Sequence, residues 1–353
     1  MDEQKSVCAG FRKAPAFAGA FSFPFLQDFY DSFRIMIEKG NIGGKGMLRK
    51  PIAILLMLIF CFSSIALAAE NKAEMTVLGK VIAVENAFYG SEQTGSLLER
   101  IGKLERDLYG AETNNAMVAK MDAIYDNVFH NTSGPSLIMK ANSVEWAIMH
   151  EVSTAPIKTR IENMEMMIHG TANMGSYTER LSSLMQLSFV DGDVTLVNKF
   201  VEPDTLVKIK LVTSIDSKAS RVGDAVHYVA AEDVVYQGAL LVAKGAEGTG
   251  IITKVSQAQN FGRDAKIEID FQNITTLDGT KMNTFLGEKA QKETETMVIA
   301  AGATVAGLAI LGPVGIVTGA FIKGKNIEIP EGTEMYIQTK NESSADGIQI
   351  EAL

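Results

Sequence analysis

The sequence predicts an α+β protein: an array of six short antiparallel helices, built from 20-residue repeats, followed by a small antiparallel β-barrel or sandwich that carries a glycine-rich apolar helical hairpin as an insert. Three observations lead there. A helical pattern recurs every 20 residues between Thr76 and Val190. After Asp191 the hydrophobic period changes from helical to alternating. Near the end, the 26 residues from Met297 to Ile322 contain no charge.

The repeats begin at Thr76, Ser96, Ala116, Ser136, Pro156 and Ser176. Their fifth position is always basic: Lys80, Arg100, Lys120, Lys140, Arg160 and Arg180. The sixth is apolar (Val81, Ile101, Met121, Ala141, Ile161, Leu181), and so is the ninth (Val84, Leu104, Ile124, Val144, Met164, Leu184). The tenth is acidic in four copies, Glu85, Glu105, Glu145 and Glu165. The fourteenth is mostly aromatic and the fifteenth is often glycine, as in Tyr89-Gly90 and Tyr109-Gly110.

Each unit therefore reads as one helix of about 14 residues, with an apolar stripe on one face. Thr or Ser at the first position supplies an N-cap, and Ser96 with Glu99 and Ser176 with Glu179 have capping-box spacing. The terminal glycines suit a left-handed C-cap. A helix this short is marginal by itself, so the units must bury their stripes on one another. The basic and acidic columns border the stripe, where register-setting ion pairs between neighbouring helices are expected in preference to a ligand-binding stripe.

The β region begins with Val207, Ile209, Leu211, Thr213 and Ile215, which alternate with Lys208, Lys210, Val212 and Ser214. Further strands are expected at Ala225–Ala231, Gly250–Val255, Lys266–Phe271 and Thr333–Gln338. Turn signals separate them at Val222-Gly223-Asp224, Asn260–Arg263, Leu277-Asp278-Gly279 and Pro330-Glu331-Gly332. Gly245–Gly250 reads as a hairpin turn. In the insert, Ala303 with Gly307 and Gly315 with Gly319 have the spacing that lets helices approach closely, and Gly312-Pro313 marks a turn. Its length suits membrane contact or oligomeric packing; an apolar hairpin folded over the β core is the other arrangement.

At the other end, Met47, Arg49 and Lys50, the apolar run Pro51–Phe62 and Ala66-Leu67-Ala68 have the order of a cleavable secretory signal. Residues 1–46 are then expected to be a start site placed too early or a long leader, with 47–68 the signal, 69–195 the helical repeats and 200–350 the β domain with its insert 297–322. Cleavage before Ala69 removes Cys8 and Cys61 and leaves 25 basic against 37 acidic residues. That balance argues against nucleic acid and against electrostatic binding to anionic lipid.

The repeat resembles S-L-x-x-R-L-x-x-L-E-x-x-x-F-G units of uncharacterised secreted bacterial proteins, most closely at Ser96–Gly110. The β region resembles the C-terminal domain of TrbI-type outer-membrane core proteins of type IV secretion. The elements that carry this are Pro203-Asp204-Thr205, Val222–Val226, Val234-Val235-Tyr236, Leu240-Leu241, Gly245, Phe261-Gly262-Arg263 and Asp278-Gly279. That resemblance implies a ring-forming envelope protein with an apolar helical pair before its last strand. In this sequence neither that family's N-terminal membrane anchor nor its proline-rich linker is expected.

No catalytic constellation emerges. His130 and His150 replace the terminal glycine of their repeats, His169 occupies the aromatic column, and His227 stands alone, so none is assigned to a metal. Gly319–Asn326 matches a phosphate-binding loop except at Asn326, where the magnesium-binding Ser or Thr should stand, and reads as a turn. Glu232 and Asp233 are adjacent on a strand end and would point apart. No cofactor is called. The expected function is a non-catalytic cell-envelope protein of the periplasm or outer membrane, mediating assembly or contact with a membrane or envelope protein partner, with homo-oligomers possible. The alternative is an extracytoplasmic ligand-binding domain or enzyme with its site in the β domain.

Overall fold

The computed structural model describes residues 75–258, 264–300 and 326–350, with side chains to Met297 in the segment that ends at 300. Residues 1–46, the signal-like segment 47–68, the turn at Phe261-Gly262-Arg263, insert residues 301–322 and the phosphate-loop-like stretch up to Lys325 lie outside the described residues.

Six consecutive helices match the six repeats. They are α1 (Val77–Tyr89), α2 (Leu97–Tyr109), α3 (Met117–Phe129), α4 (Leu137–Met149), α5 (Ile157–His169) and α6 (Tyr177–Ser188). Thr76, Ser96, Ser136 and Ser176 accept from the backbone N–H three residues on, and both capping boxes form. Ala116 and Pro156 stand at the N-cap without a side-chain bond. Gly90, Gly110 and Gly170 stop their helices in the left-handed region, and His150 adopts the same conformation at φ 55°.

The stripe is buried throughout. Val81, Val84 and Phe88 of α1 are fully enclosed, as are Ile101, Leu104 and Leu108 of α2. Successive helices touch, α1 also meets α3, and α4 also meets α6. The array then coils back on itself, because α5 lies against α1 and α6 against α2. Glycine makes the first of these approaches possible: a Cβ on Gly90 would lie 2.5 Å from Pro156 Cγ. At the second, Thr178 Oγ1 donates to the Leu108 carbonyl at 2.7 Å.

The β region has twelve strands among the described residues. Those of the barrel are β2 (Leu206–Leu211), β4 (Ala225–Ala230), β7 (Glu247–Ser256), β8 (Lys266–Thr275), β9 (Lys281–Phe285) and β11 (Glu334–Thr339). They close in the order β11-β2-β4-β7-β8-β9, because β11 pairs antiparallel with both β2 and β9. Of barrel or sandwich, the chain forms the barrel. Val207, Ile209, Leu211, Val226, Tyr228, Ile252, Phe271 and Ile337 fill its interior. Beside it, β1 (Leu196–Val201), β12 (Ser343–Gln349), β6 (Ala239–Val242) and β5 (Val234–Tyr236) make a four-stranded sheet, and β3 (Ile215–Asp216) pairs with β10 (Glu328–Ile329).

Three details differ from the sequence reading. The run Val207–Ile215 is not one strand, since residues 212–214 separate β2 from β3. Gly245–Gly250 is not one turn. Gly245 turns at φ 87°, but Gly248 and Gly250 lie inside β7, where a Cβ on Gly248 would sit 2.0 Å from the Tyr228 ring. The barrel tyrosine needs that glycine to lie flat across the interior. Finally, a helix with a charged first part, α7 (Glu288–Ala300), runs into the first residues of the uncharged stretch and covers β11; Gln338 Oε1 accepts from Ala290 N at 2.9 Å, and Tyr336 N donates to Thr294 Oγ1.

Candidate functional site

The charged columns of the repeats meet in a ladder. In each rung the tenth-position glutamate of one helix bonds the fifth-position cation of the next, 15 residues on. Arg100 donates to Glu85 from Nε at 3.0 Å and from Nη2 at 2.6 Å. Lys120 Nζ donates to Glu105 at 2.7 Å, Arg160 Nε to Glu145 at 2.8 Å, and Arg180 to Glu165 from Nε at 3.0 Å and Nη2 at 2.5 Å. All eight side chains are buried.

Each glutamate also holds the loop that follows its helix. It accepts from the backbone N–H eight residues on, at Gln93, Thr113, Ser153 and Asn173. The carboxylate thus replaces its lost hydration with three or more donors, which is what makes a buried ion tolerable. Burial pushes the Glu105 and Glu165 carboxyls up, but the bonds from Lys120 and Thr113, and from Arg180 and Asn173, outweigh it and hold both below the usual carboxylate range. The Glu85 bond raises Arg100 in turn.

One rung is missing. Tyr125 takes the tenth position of the third unit, and Lys140 makes no ion pair among the described residues. Tyr125 instead packs on Phe129 and His130, with Lys80 Nζ 5.7 Å from its ring centre. The ladder therefore divides into α1–α3 and α4–α6.

The gap falls where α4 turns to the barrel. Asn142 Nδ2 donates to the Leu277 carbonyl at 2.7 Å, while its Oδ1 accepts from Arg160 at 2.7 Å. Trp146 Nε1 donates to Asp233 at 2.8 Å, and Val152 N to the Lys244 carbonyl at 2.8 Å. Ile138 packs at Gly279, where a Cβ would come within 2.9 Å of its Cγ2. Upstream, Asn131 Nδ2 donates to Asp346 at 3.0 Å. This seam encloses a half-open cleft of about 430 Å³, lined by Asn86, Asn142, Ser153, Arg160, Glu247 and Thr276 among others.

Of the cleft's charged groups, Arg160 is committed to the ladder, while Glu247 stands exposed beside His227. Arg160 is bound by Glu145 and Asn142, and Ser153 by Glu145. Hydroxyls of the cleft bond carboxylates that hold the structure together: Ser153 donates to the rung glutamate Glu145, and Thr276 to Asp278 of the barrel turn. Asp233, examined in sequence as half of an acidic pair, accepts from Trp146 and from the Lys244 N–H, so it ties the seam. His130 bonds Asp126 at 2.8 Å on the surface, His150 packs on Trp146, His169 ends α5, and His227 lies 3.8 Å from Glu247 on exposed strand faces. The histidines do not converge, and no group of three or more metal-ligating side chains forms among the described residues. No described helix is long and apolar enough to cross a membrane.

The ladder was half visible in sequence, in the constant spacing of 15 between the acidic and the next basic column. The loop N–H partners were not, because their side chains vary from Gln93 to Asn173.

No protein-family model matches the sequence, and no curated protein matches it. Among solved structures the chain is similar to ComB10 of the Com type IV secretion system of Helicobacter pylori, at 15% identity over 41% of this chain and 89% of that one, with a TM-score of 0.24. ComB10 belongs to the kind of machinery that the β-region turns resemble, but a likeness this loose carries no weight for function.

Proposed function

We propose that the protein is a non-catalytic component of the cell envelope that mediates assembly or partner contact, with the helical coil and the uncharged stretch Met297–Ile322 as its contact elements. The observation that carries this reading is a contrast in the described residues. Their buried charged groups are spent on structure, in the ladder and the seam, while large apolar side chains stand exposed on the helical coil, among them Leu98, Met167 and Leu187. The signal-like segment Met47–Ala68 supports an exported setting. The cleft at the seam favours a second reading, a small-molecule binding module, because it is large enough for a modest ligand.

Cell fractionation tests the proposal. The mature chain should start at or near Ala69 and be recovered with the envelope or as an assembly. Replacing Met297–Ile322 by a short Gly-Ser turn should release it as a soluble, folded protein. A folded deletion variant that fractionates as before would remove the support from the uncharged stretch. Recovery of the full chain as a soluble cytoplasmic monomer would overturn the envelope reading.

A further inference from the structure

The helical coil obeys an internal stacking rule that its two ends leave unsatisfied. The C-terminal end of a unit rests on the N-terminal end of the unit four places on. Gly90 meets Pro156, and Gly110 meets Ser176, whose Cβ would lie 3.7 Å from a Cβ at that glycine. Both contacts span the same 66 residues. Phe88 of the first unit is fully enclosed, with its ring 5.1 Å from that of Tyr177 in the sixth.

The third position of the repeat stands at this docking end; in the fifth unit it is Lys158, which bonds Glu162. In the sixth unit it is Thr178, which bonds the Leu108 carbonyl above it. In the fourth it is Ile138, covered by the barrel turn at Gly279. In the first three units it is Leu78, Leu98 and Val118, which stand 48%, 63% and 51% exposed. At the opposite end, units three to six have no unit four places on, and in the fifth and sixth the end left open is apolar. The position that is Ala87 in the first unit, packed on the core, is Met167 in the fifth and 59% exposed. Met174 in the following loop is 95% exposed where the other loops carry Thr94, Asn114, Gly134 and Thr154, and Leu187 ends the sixth helix 61% exposed.

We propose that the chain assembles head to tail, with the N-terminal face of α1–α3 in one molecule seated on the C-terminal face of α5 and α6 in another, so that a second copy supplies the units the stacking rule calls for. The partner is a second copy because the same contact, between the same repeat positions, already exists twice inside each molecule. The two faces are both apolar and differ from each other, so the interface is heterologous. Unless it closes into a ring, it propagates as an open chain of molecules. A terminal repeat of a soluble monomer ordinarily presents a polar outer face, and both ends here do the reverse. The inference deepens the assembly reading above and rests on it.

Sedimentation velocity on the full chain, in mild detergent if the uncharged stretch demands it, should show a concentration-dependent series of species beyond the dimer. Leu78→Lys with Leu98→Lys should abolish every species above monomer, and so should Met167→Lys with Leu187→Lys, each with an unchanged far-ultraviolet dichroism spectrum. Mixing the two variants leaves one intact face on each and should restore a 1:1 dimer that grows no further. A monomer at every concentration, a closed dimer indifferent to both variants, or a mixture that stays monomeric would overturn head-to-tail assembly. If such a protein still left the soluble fraction in a manner that depended on Met297–Ile322, the envelope reading would stand without self-assembly.

Discussion

The helical coil and the barrel solve the problem of a small core in opposite ways. The barrel interior is apolar apart from hydroxyls that bond one another or nearby carbonyls, such as Tyr228 with the Asn273 carbonyl at 2.9 Å and Thr284 with that of Phe271. Its register follows from closure of six strands. The coil, whose units are short and nearly interchangeable, adds buried charge. A glutamate that must find the cation 15 residues on and the N–H eight residues on is satisfied in one register only, so the ladder specifies which helix follows which. Specificity by polar pairing suits repeats; closure suits strands.

The strongest breaks should lie in the two cores. Leu104→Asp puts a charge inside the α2 seam and should cost about 3 kcal/mol or more, enough to unfold the coil in a thermal melt. Phe271→Ala opens a cavity in the barrel and should cost about 3–5 kcal/mol by denaturant titration.

Acid should separate the two regions. The folded carboxyls of Glu105 and Glu165 titrate below their unfolded value near about 4.3. Their contribution is thus fully present above that value and is lost as pH falls through the folded one. Stability measured by denaturant should fall below about pH 5, and Glu105→Gln should flatten that fall. An unchanged slope would mean that the rung carboxylates do not drive it.

A glycine tests the barrel more finely. Gly248→Ala drives a methyl into the Tyr228 ring and should cost about 1–3 kcal/mol, the range for overpacking. Smallest of all are two surface changes. Arg106→Asp removes an exposed pair with Glu112, and Lys140→Met removes the cation at the missing rung; each should stay within about 0.5 kcal/mol. A large effect at Lys140 would mean that the ladder is continuous after all.

What the sequence showed and what it hid follow the same division. The helices, both capping boxes and the pairing of charged columns are local or periodic, so residues such as Ser96, Glu99, Glu105 and Lys120 announce them. Strands β4, β8 and β11 alternate and were legible too. Strand β12 was not: Ser343-Ser344-Ala345-Asp346-Gly347 has little β-propensity, and pairing with β1 almost 150 residues away makes it a strand. The coil's return was equally hidden, since Pro156 reads as a helix start and only its place beneath Gly90 gives it a second role. The seam depends on Asn142 reaching the Leu277 carbonyl, a contact between segments that no periodicity links.

The account stands most directly on one double-mutant cycle, at Glu105 and Lys120. This rung joins the carboxylate to a single ammonium, and among the described residues the other bonds to Glu105 come from Thr113. Lys120→Met strands a buried carboxylate, and Glu105→Leu strands a buried ammonium, so each alone should cost about 3 kcal/mol or more. The double variant removes both charges and should cost no more than either single change, giving a coupling of about 3 kcal/mol or more in denaturant titrations. Single costs that add to within about 0.5 kcal/mol would contradict the claim that buried rungs set the register of the coil.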